Sequence, residues 1–484
     1  MDNVTIENST SQNNNMSKGG AIYNYVDADL VVKNSRFLNN VASYYGGAIY
    51  NSQDSSVTIE NSEFDNNHAD SSFNIDYPYK SAGAVYNDVY GVLNIDNSVF
   101  TDNVAENGGA IVNRGTTDIG SSQFKANRAF KDSGSEYYDE GFGGAISNFA
   151  DLTISKTNFT TNTAPTDGGI SNTGPNSIIM VSDSIFIDNT AKGKTWASSG
   201  TIDNTGTATI TNSVFSNNRA IADNGESDNG AICNNANMTI TNSKFNVNTA
   251  NKGGAIVNQN FGETISELNI SQSTFNGNVA DNDGGAIHST ASLNIDNSKF
   301  IANSANNGGG ITVNDFGNVL DDLSLYNNNA TVSGGGISLN NSSHTHIGHD
   351  IVKSNYAKYG GGISINGGSD NLINDGSIAY NEANYGSGLF ISNANNVEFI
   401  REDIFDNIAS VDGGGVYINN SDETNFIDSN INANKACSGD GGGIWTNSIF
   451  NNCDLATAIV ENTPKDINDK SYMTPNKPKN PIYW

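Results

Sequence analysis

The sequence is poor in cysteine, proline and positive charge. Three cysteines in 484 residues, an odd number, cannot build a disulfide framework. Four of only seven prolines fall after residue 462, so the body of the chain carries few enforced breaks. The 23 Lys and Arg form no cluster against 52 Asp and Glu, and at a net charge of −29 no nucleic acid is expected as a partner, because phosphate binding needs a basic patch. Long hydrophobic runs are missing too. The longest, Ile178 to Val181, is far below the ~20 residues of a membrane-spanning helix, so no transmembrane segment is expected. Apolar residues make up 36%, a level that taken alone admits disorder.

What the sequence does hold is 81 Asn, 51 Gly and a repeat. A tetrapeptide close to Gly-Gly-Ala-Ile returns sixteen times, its aliphatic residue running from Ile22, Ile49 and Val85 to Leu389, Val416 and Ile444. The mean spacing is about 28 residues, the range of solenoids and propellers. Between copies stands an anchor followed three residues later by Asn: Phe37 and Asn40, Phe64 and Asn67, and so on to Phe300 and Asn303. After residue 310 the anchor turns aliphatic, at Leu325, Val352, Ile378, Ile404 and Ile431. Five residues before each anchor is another apolar side chain, such as Val32, Ile59, Ile295 or Phe426.

Each repeat therefore holds three short stretches of alternating apolar and polar residues, separated by Asn, Ser, Asp and Gly. No helical period of ten residues occurs, which excludes leucine-rich, ankyrin and armadillo architectures. The expected fold is all-β, a single parallel β-helix of about sixteen three-strand rungs, right-handed by the crossover rule. Low apolar content fits this fold, because a rung needs few inward side chains when its neighbours bury the rest. Asn tolerates left-handed turns, and stacked amides bond each other as a ladder. One such ladder is read three residues before the anchor, at Asn34, Asn61, Asn97, Asn212, Asn242 and Asn297. The paired Gly implies positive φ or close backbone approach at a recurrent corner.

The solenoid is expected over residues 1–462, with a Pro-rich linker or tail over 463–484. The opening Val4-Thr5-Ile6-Glu7-Asn8-Ser9 matches Val57-Thr58-Ile59-Glu60-Asn61-Ser62 inside a rung. The chain thus begins in mid-repeat, and upstream rungs with an export signal are expected to precede it. Cys437 and Cys453 fall in neighbouring irregular rungs, where they either pair or stay free, and Cys233 falls on a solvent-side strand position.

The Gly-Gly-Ala-Ile and Phe-x-x-Asn combination resembles the repeat of the chlamydial polymorphic outer membrane proteins, and the Asn-rich composition resembles the adhesin-like surface proteins of methanogenic archaea. The resemblance covers about residues 3–460. It implies an exported β-helical stalk or passenger at the cell surface, part of a longer protein, that meets glycans or surface proteins of other cells. No C-terminal β-barrel fits in the final 22 residues, so the autotransporter form is not implied.

Extra residues of the longer repeats collect at one turn, over 68–82, 128–142, 190–199 and 219–229, and aromatics collect there too. Tyr44, Tyr45, Tyr77, Tyr79, Tyr137, Tyr138 and Trp196 are the candidate ligand-binding residues, suited to stacking on sugars or anchoring a protein; Phe73, Phe130, Phe142, Tyr356, Tyr359 and Tyr385 share the turn. The alternative is that these rings fold down to cover the corner. A second candidate lies where the Asn ladder becomes Asp322, His349, Asp375, Arg401 and Asp428. About 4.8 Å apart, such groups suit acid and base work. The run faintly resembles polygalacturonase motifs, which implies a polysaccharide hydrolase or lyase. Yet Asp350 stands where that family has its second Gly, its Asn-Thr-Asp element is missing, and a plain charge ladder explains the column equally. A purely structural stalk is the third reading. His344, His346 and His349 form the one His cluster, which a polar turn explains as well as a metal does, and no metal or cofactor is assigned. Gly367-Gly368-Ser369-Asp370-Asn371-Leu372 resembles half of one calcium-binding nonapeptide and implies at most weak, unlocalised binding.

Overall fold

Paired glycines open many of the rungs, each glycine for its own reason. Gly46 has φ +64°, a left-handed corner, and a Cβ on Gly47 would lie 2.0 Å from the carbonyl oxygen of Gly83 on the next rung. From that corner the chain runs through Ile49–Asn51, Ser56–Glu60 and Glu63–Asp65, and then through a fourth, shorter strand, His68–Ala69, beyond the three expected. Left-handed residues make the sharp bends between them: Asn61 and Asn66 both have φ 50°. Ile49, Asn51, Val57, Ile59, Phe64, Asn67 and Ala69 turn inward and are buried.

The computed structural model describes residues 1–11, 17–69, 81–130, 141–194, 196–223, 226–448, 452–453, 457–464 and 467–469. They form a right-handed parallel β-solenoid of about 15 turns with no helix among the described residues. The chain divides into two compact units, Met1–Leu268 and Asn269–Trp484. Pairing within each is parallel and in register, like residue over like: Phe64 faces Phe100, and Ile363 faces Leu389.

Unit 1 is held by two columns. The Phe anchors from Phe37 to Phe245 stack face on face, with neighbouring centroids 4.7–4.9 Å apart and planes within 7°. Fully burying each ring is worth roughly 1.5–3 kcal/mol before its stacking. Beside them the anchor asparagines form a buried ladder. Asn127 Nδ2 donates to Asn162 Oδ1 at 3.0 Å and to the Phe100 carbonyl at 2.9 Å, and the pattern repeats at each rung. The amide group is the right size for one rung spacing, and it satisfies backbone groups that the corner leaves unpaired.

In unit 2 the amide ladder persists from Asn278 to Asn462, but the core beside it changes. Where the anchor becomes branched, the third residue of the glycine motif becomes Gly: Gly310 with Leu325, Gly336 with Val352, Gly362 with Ile378. A Cβ on Gly310 would lie 3.2 Å from Leu325 Cδ2, and one on Gly362 would lie 3.0 Å from Ile378 Cγ2. Flat stacked rings leave room for the Ala of unit 1, and a branched anchor does not. The Asn closing the first strand of unit 1 likewise gives way to the buried Val313, Leu339, Ile365, Ile391 and Ile418.

Cys233 departs from the expectation of a solvent-side position. It points outward from its strand yet is buried, enclosed by Asp203, Asn235 and Gln259. Burial, the Asp203 charge and a hydrogen bond to Asp203 raise its thiol pKa well above the ordinary value. Cys437 is a free, exposed thiol, and the side chain of Cys453 lies outside the described residues. Ile467–Asp469 pairs with Ile444–Thr446, and residues 470–484 of the expected tail lie outside the described residues.

Candidate functional site

The described aromatics of the unit 1 turn divide between packed and exposed rings: Phe130 and Phe142 are exposed, and the others turn inward. Tyr44 is buried, and Tyr45 is partly buried against Tyr50, Tyr86 and Val112. Tyr50 accepts a hydrogen bond from Lys18 Nζ at 2.6 Å and donates to Asp88, while Tyr86 accepts from Arg114 at 3.5 Å. Burial, then the Asp88 bond, raises the Tyr50 phenol far above its usual range. Tyr77, Tyr79, Tyr137 and Tyr138 lie outside the described residues, as does the Trp196 side chain.

Unit 2 carries an open aromatic cleft of about 360 Å³, lined by Tyr359, Tyr385, Phe390, Tyr417 and Asn419. Its wall is the turn before the glycines, where Tyr359 and Tyr385 stack at 5.6 Å. The next two residues in that row are Asp412, in register with Tyr385, and Asp440, whose amide donates to Asp412 Oδ1 at 2.8 Å. The floor is the outward residue of the first strand: Phe390 stacks on Tyr417 at 5.4 Å, and Tyr417 on Trp445 at 4.2 Å. Polar side chains form the far rim, with Asn447 Nδ2 donating to Asn419 Oδ1 at 2.8 Å and Asn419 Nδ2 to Ser392 Oγ at 3.3 Å. Unlike Tyr50, the hydroxyls of Tyr359, Tyr385 and Tyr417 have no hydrogen-bond partner among the described residues. Burial still raises the Tyr417 phenol. Tyr359 and Tyr385 belong to the turn aromatics of the sequence, whereas the floor was missed. Its signal is three successive rungs with an aromatic directly after the Gly-motif aliphatic: Leu389-Phe390, Val416-Tyr417 and Ile444-Trp445.

The charged column is a corner row. Asp322, His349, Asp375, Arg401 and Asp428 all adopt the left-handed conformation of the asparagines they replace, with φ between 51° and 59°. Arg401 holds Asp375 through two bonds of 2.5 and 2.6 Å, and His349 pairs with Asp321, not Asp322, at 2.8 Å. The Arg401 bond lowers the Asp375 pKa, and the Asp321 bond raises that of His349. These exposed pairs are each worth at most about 1 kcal/mol.

Two acids behind this column were not singled out as a pair from the sequence. The residue two before each anchor is Ser or Thr throughout unit 1, and its hydroxyl accepts a backbone N–H from the neighbouring rung, as Ser98 does from Ser62 at 3.1 Å. In unit 2 that position holds Asp350 and Glu402, both buried, accepting from Leu323 N at 2.6 Å and Gly376 N at 2.9 Å. Each keeps its other oxygen, Oδ2 or Oε2, without a partner. Burial raises Asp350 well above the carboxylate range and pushes Glu402 up to about 8. At that value Glu402 is mostly protonated at pH 7.

His344 stacks against Phe316 and lies 3.9 Å from Asp370, while His346 contacts Asn374 at 2.5 Å. No group of three metal-ligating side chains occurs among the described residues. Asp370, in the half-nonapeptide, accepts from Ser369 and Asn396.

Two stretches, residues 34–52 and 272–290, match the model of the Chlamydia polymorphic membrane protein (Chlamydia_PMP) repeat. Each spans one Phe-x-x-Asn and the following Gly-Gly-Ala-Ile, so the chain carries repeats of this type within a parallel β-solenoid. No curated protein matches the chain. Among solved structures, two variants of the periplasmic alginate epimerase AlgG are similar. One is 13% identical with a TM-score of 0.34, covering 83% of this chain and 75% of the other; the second is 10% identical with a TM-score of 0.25, covering 84% and 76%. No helix among the described residues is long and apolar enough to cross a membrane.

Proposed function

We propose that this chain is a non-enzymatic, surface-exposed, adhesin-like β-helix, part of a longer exported protein, that binds a glycan or surface protein of another cell through aromatic side chains on the solenoid flank. The observation that carries the reading is the unit 2 cleft, where stacked rings stand open with unengaged hydroxyls beside hydrogen-bonding amides. A cleft of this size that sets ring faces beside hydroxyl and amide groups suits ligand binding. The repeat type supports a surface role. The charged column gives catalysis no comparable support, because Asp375 and His349 are occupied by ion pairs.

The test is retention of the purified chain on immobilised cells and on glycan and surface-protein arrays. Trp445→Ala and Tyr385→Ala are expected to abolish retention while leaving the β-sheet circular dichroism unchanged. Equal retention of both variants would overturn the reading.

A further inference from the structure

We infer that the unit 2 cleft takes a glycan free of carboxylate and sulfate groups, laid along the solenoid axis over Phe390, Tyr417 and Trp445. This rests on the adhesin reading of the same cleft and narrows its ligand. Three observations carry it.

The first is periodicity. Floor, wall and rim each advance by one residue per rung, so rings and hydrogen-bonding groups recur in step along one direction, about 4.8 Å apart. A chain of similar units meets a ring below and a polar rim group at each step, and a folded protein surface has no such translational repeat. The second is chemistry. Pyranose rings have apolar C–H faces that stack on aromatic rings and hydroxyls around the edge that pair with amides and phenols. The cleft places both kinds of group side by side, with the Tyr359, Tyr385 and Tyr417 hydroxyls free to bond.

The third is charge. Beyond Tyr385 the wall continues as Asp412 and Asp440, beside the Tyr417 and Trp445 part of the floor. The cation found at the cleft, Lys358, lies over the Tyr359 ring at 5.0 Å, at the other end of the wall. With a net charge of −29 behind them, these carboxylates repel a polyanion from the Tyr417 and Trp445 part of the floor. A uronate polymer, the substrate class of the hydrolase or lyase reading, is therefore disfavoured here.

The experiment titrates uncharged cello-, xylo-, manno- and chito-oligosaccharides, and separately oligogalacturonate and sulfated oligosaccharides, into the full chain by calorimetry. The same preparation is assayed for retention on cells. At least one uncharged series is expected to bind, with affinity unchanged between low and high salt. Trp445→Ala should weaken it about tenfold or more, and Trp445→Phe should recover part of the loss. Asp412→Asn combined with Asp440→Asn should admit the acidic oligosaccharides, a gain that no folding defect produces. Preferential binding of acidic glycans by the unaltered chain would overturn the inference and leave the adhesin reading standing. So would a chain that binds no oligosaccharide yet adheres to cells through Tyr385 and Trp445, since its partner would be a protein. Absence of all binding, to cells as well as glycans, would remove the adhesin reading with it.

Discussion

Asn162 shows how one side chain is matched to the fold. Its Oδ1 accepts from the backbone N–H and the amide of Asn127, and its Nδ2 donates to the Phe124 carbonyl and to Asn189 Oδ1. Truncating it leaves several buried groups unpaired at about 1–3 kcal/mol each. Asn162→Ala is expected to destabilise unit 1 by roughly 3 kcal/mol or more, read from urea unfolding. A loss under about 1 kcal/mol would mean that water replaces the ladder. Glu402 is the opposite case, an ionisable group where a small hydroxyl residue stands elsewhere. Its pKa rises from 4.5 to about 8, so folded chains hold a proton that unfolded chains release. Stability is then full below about pH 4.5 and falls as pH rises until the folded group ionises near 8, by an amount of order 4 kcal/mol. Glu402→Gln should remove this group's share of the decline, while Asp350 and Asp167, also raised by burial, keep a slope of the same sign. An unfolding midpoint that drops equally from pH 5 to 8 in both proteins would refute the assignment.

At the scale of the strand, legibility depended on which face a residue occupies. Inward positions repeat because stacking forces like onto like, so Phe37 to Phe300, Asn40 to Asn303 and the left-handed Asn corners could be read from spacing alone. Outward positions carry no such constraint. Phe390, Tyr417 and Trp445 follow residues that read as core, and only their placement beside Tyr359 and Tyr385 makes them a surface. Cys233 failed for the converse reason: an outward residue is buried when the polar side chains around it close over it. Asp350 and Glu402 were legible as departures from a Ser row, but their burial was not. The shift to aliphatic anchors was plain in the sequence, and its cause was not. Branched anchors occupy the space of the third glycine. Gly362→Ala would set a methyl 2.7 Å from the Gly388 carbonyl oxygen and 3.0 Å from Ile378 Cγ2. It is expected to cost roughly 1–3 kcal/mol, measured as a lower unfolding midpoint of unit 2, although unit 1 carries Ala at the equivalent Ala48 and Ala110. A neutral substitution would show that the strand shifts to make room.

Across the whole molecule, net charge weighs against the folded state. At −29, with few cations placed to offset it, folded chains repel themselves. Screening is therefore expected to raise the thermal midpoint as NaCl increases from about 10 to 500 mM, most steeply at the low end. A midpoint independent of salt would mean that the carboxylates are already neutralised locally. The amide ladder has a further consequence, for how such a chain changes length. Each ladder Asn donates to the ladder Asn of the next rung and accepts from that of the rung before, so each rung is an interchangeable link with the same joint at both ends. Removing residues 341–366 would bring Asn328 onto Asn381 and Leu325 onto Ile378, re-forming the joints, whereas removing 341–353 would set a corner against a strand. The first deletion is expected to resist proteolysis like the parent and the second to be degraded. Unequal recombination between repeats can then lengthen or shorten the protein in whole links, and selection acts on a family of lengths built from one joint.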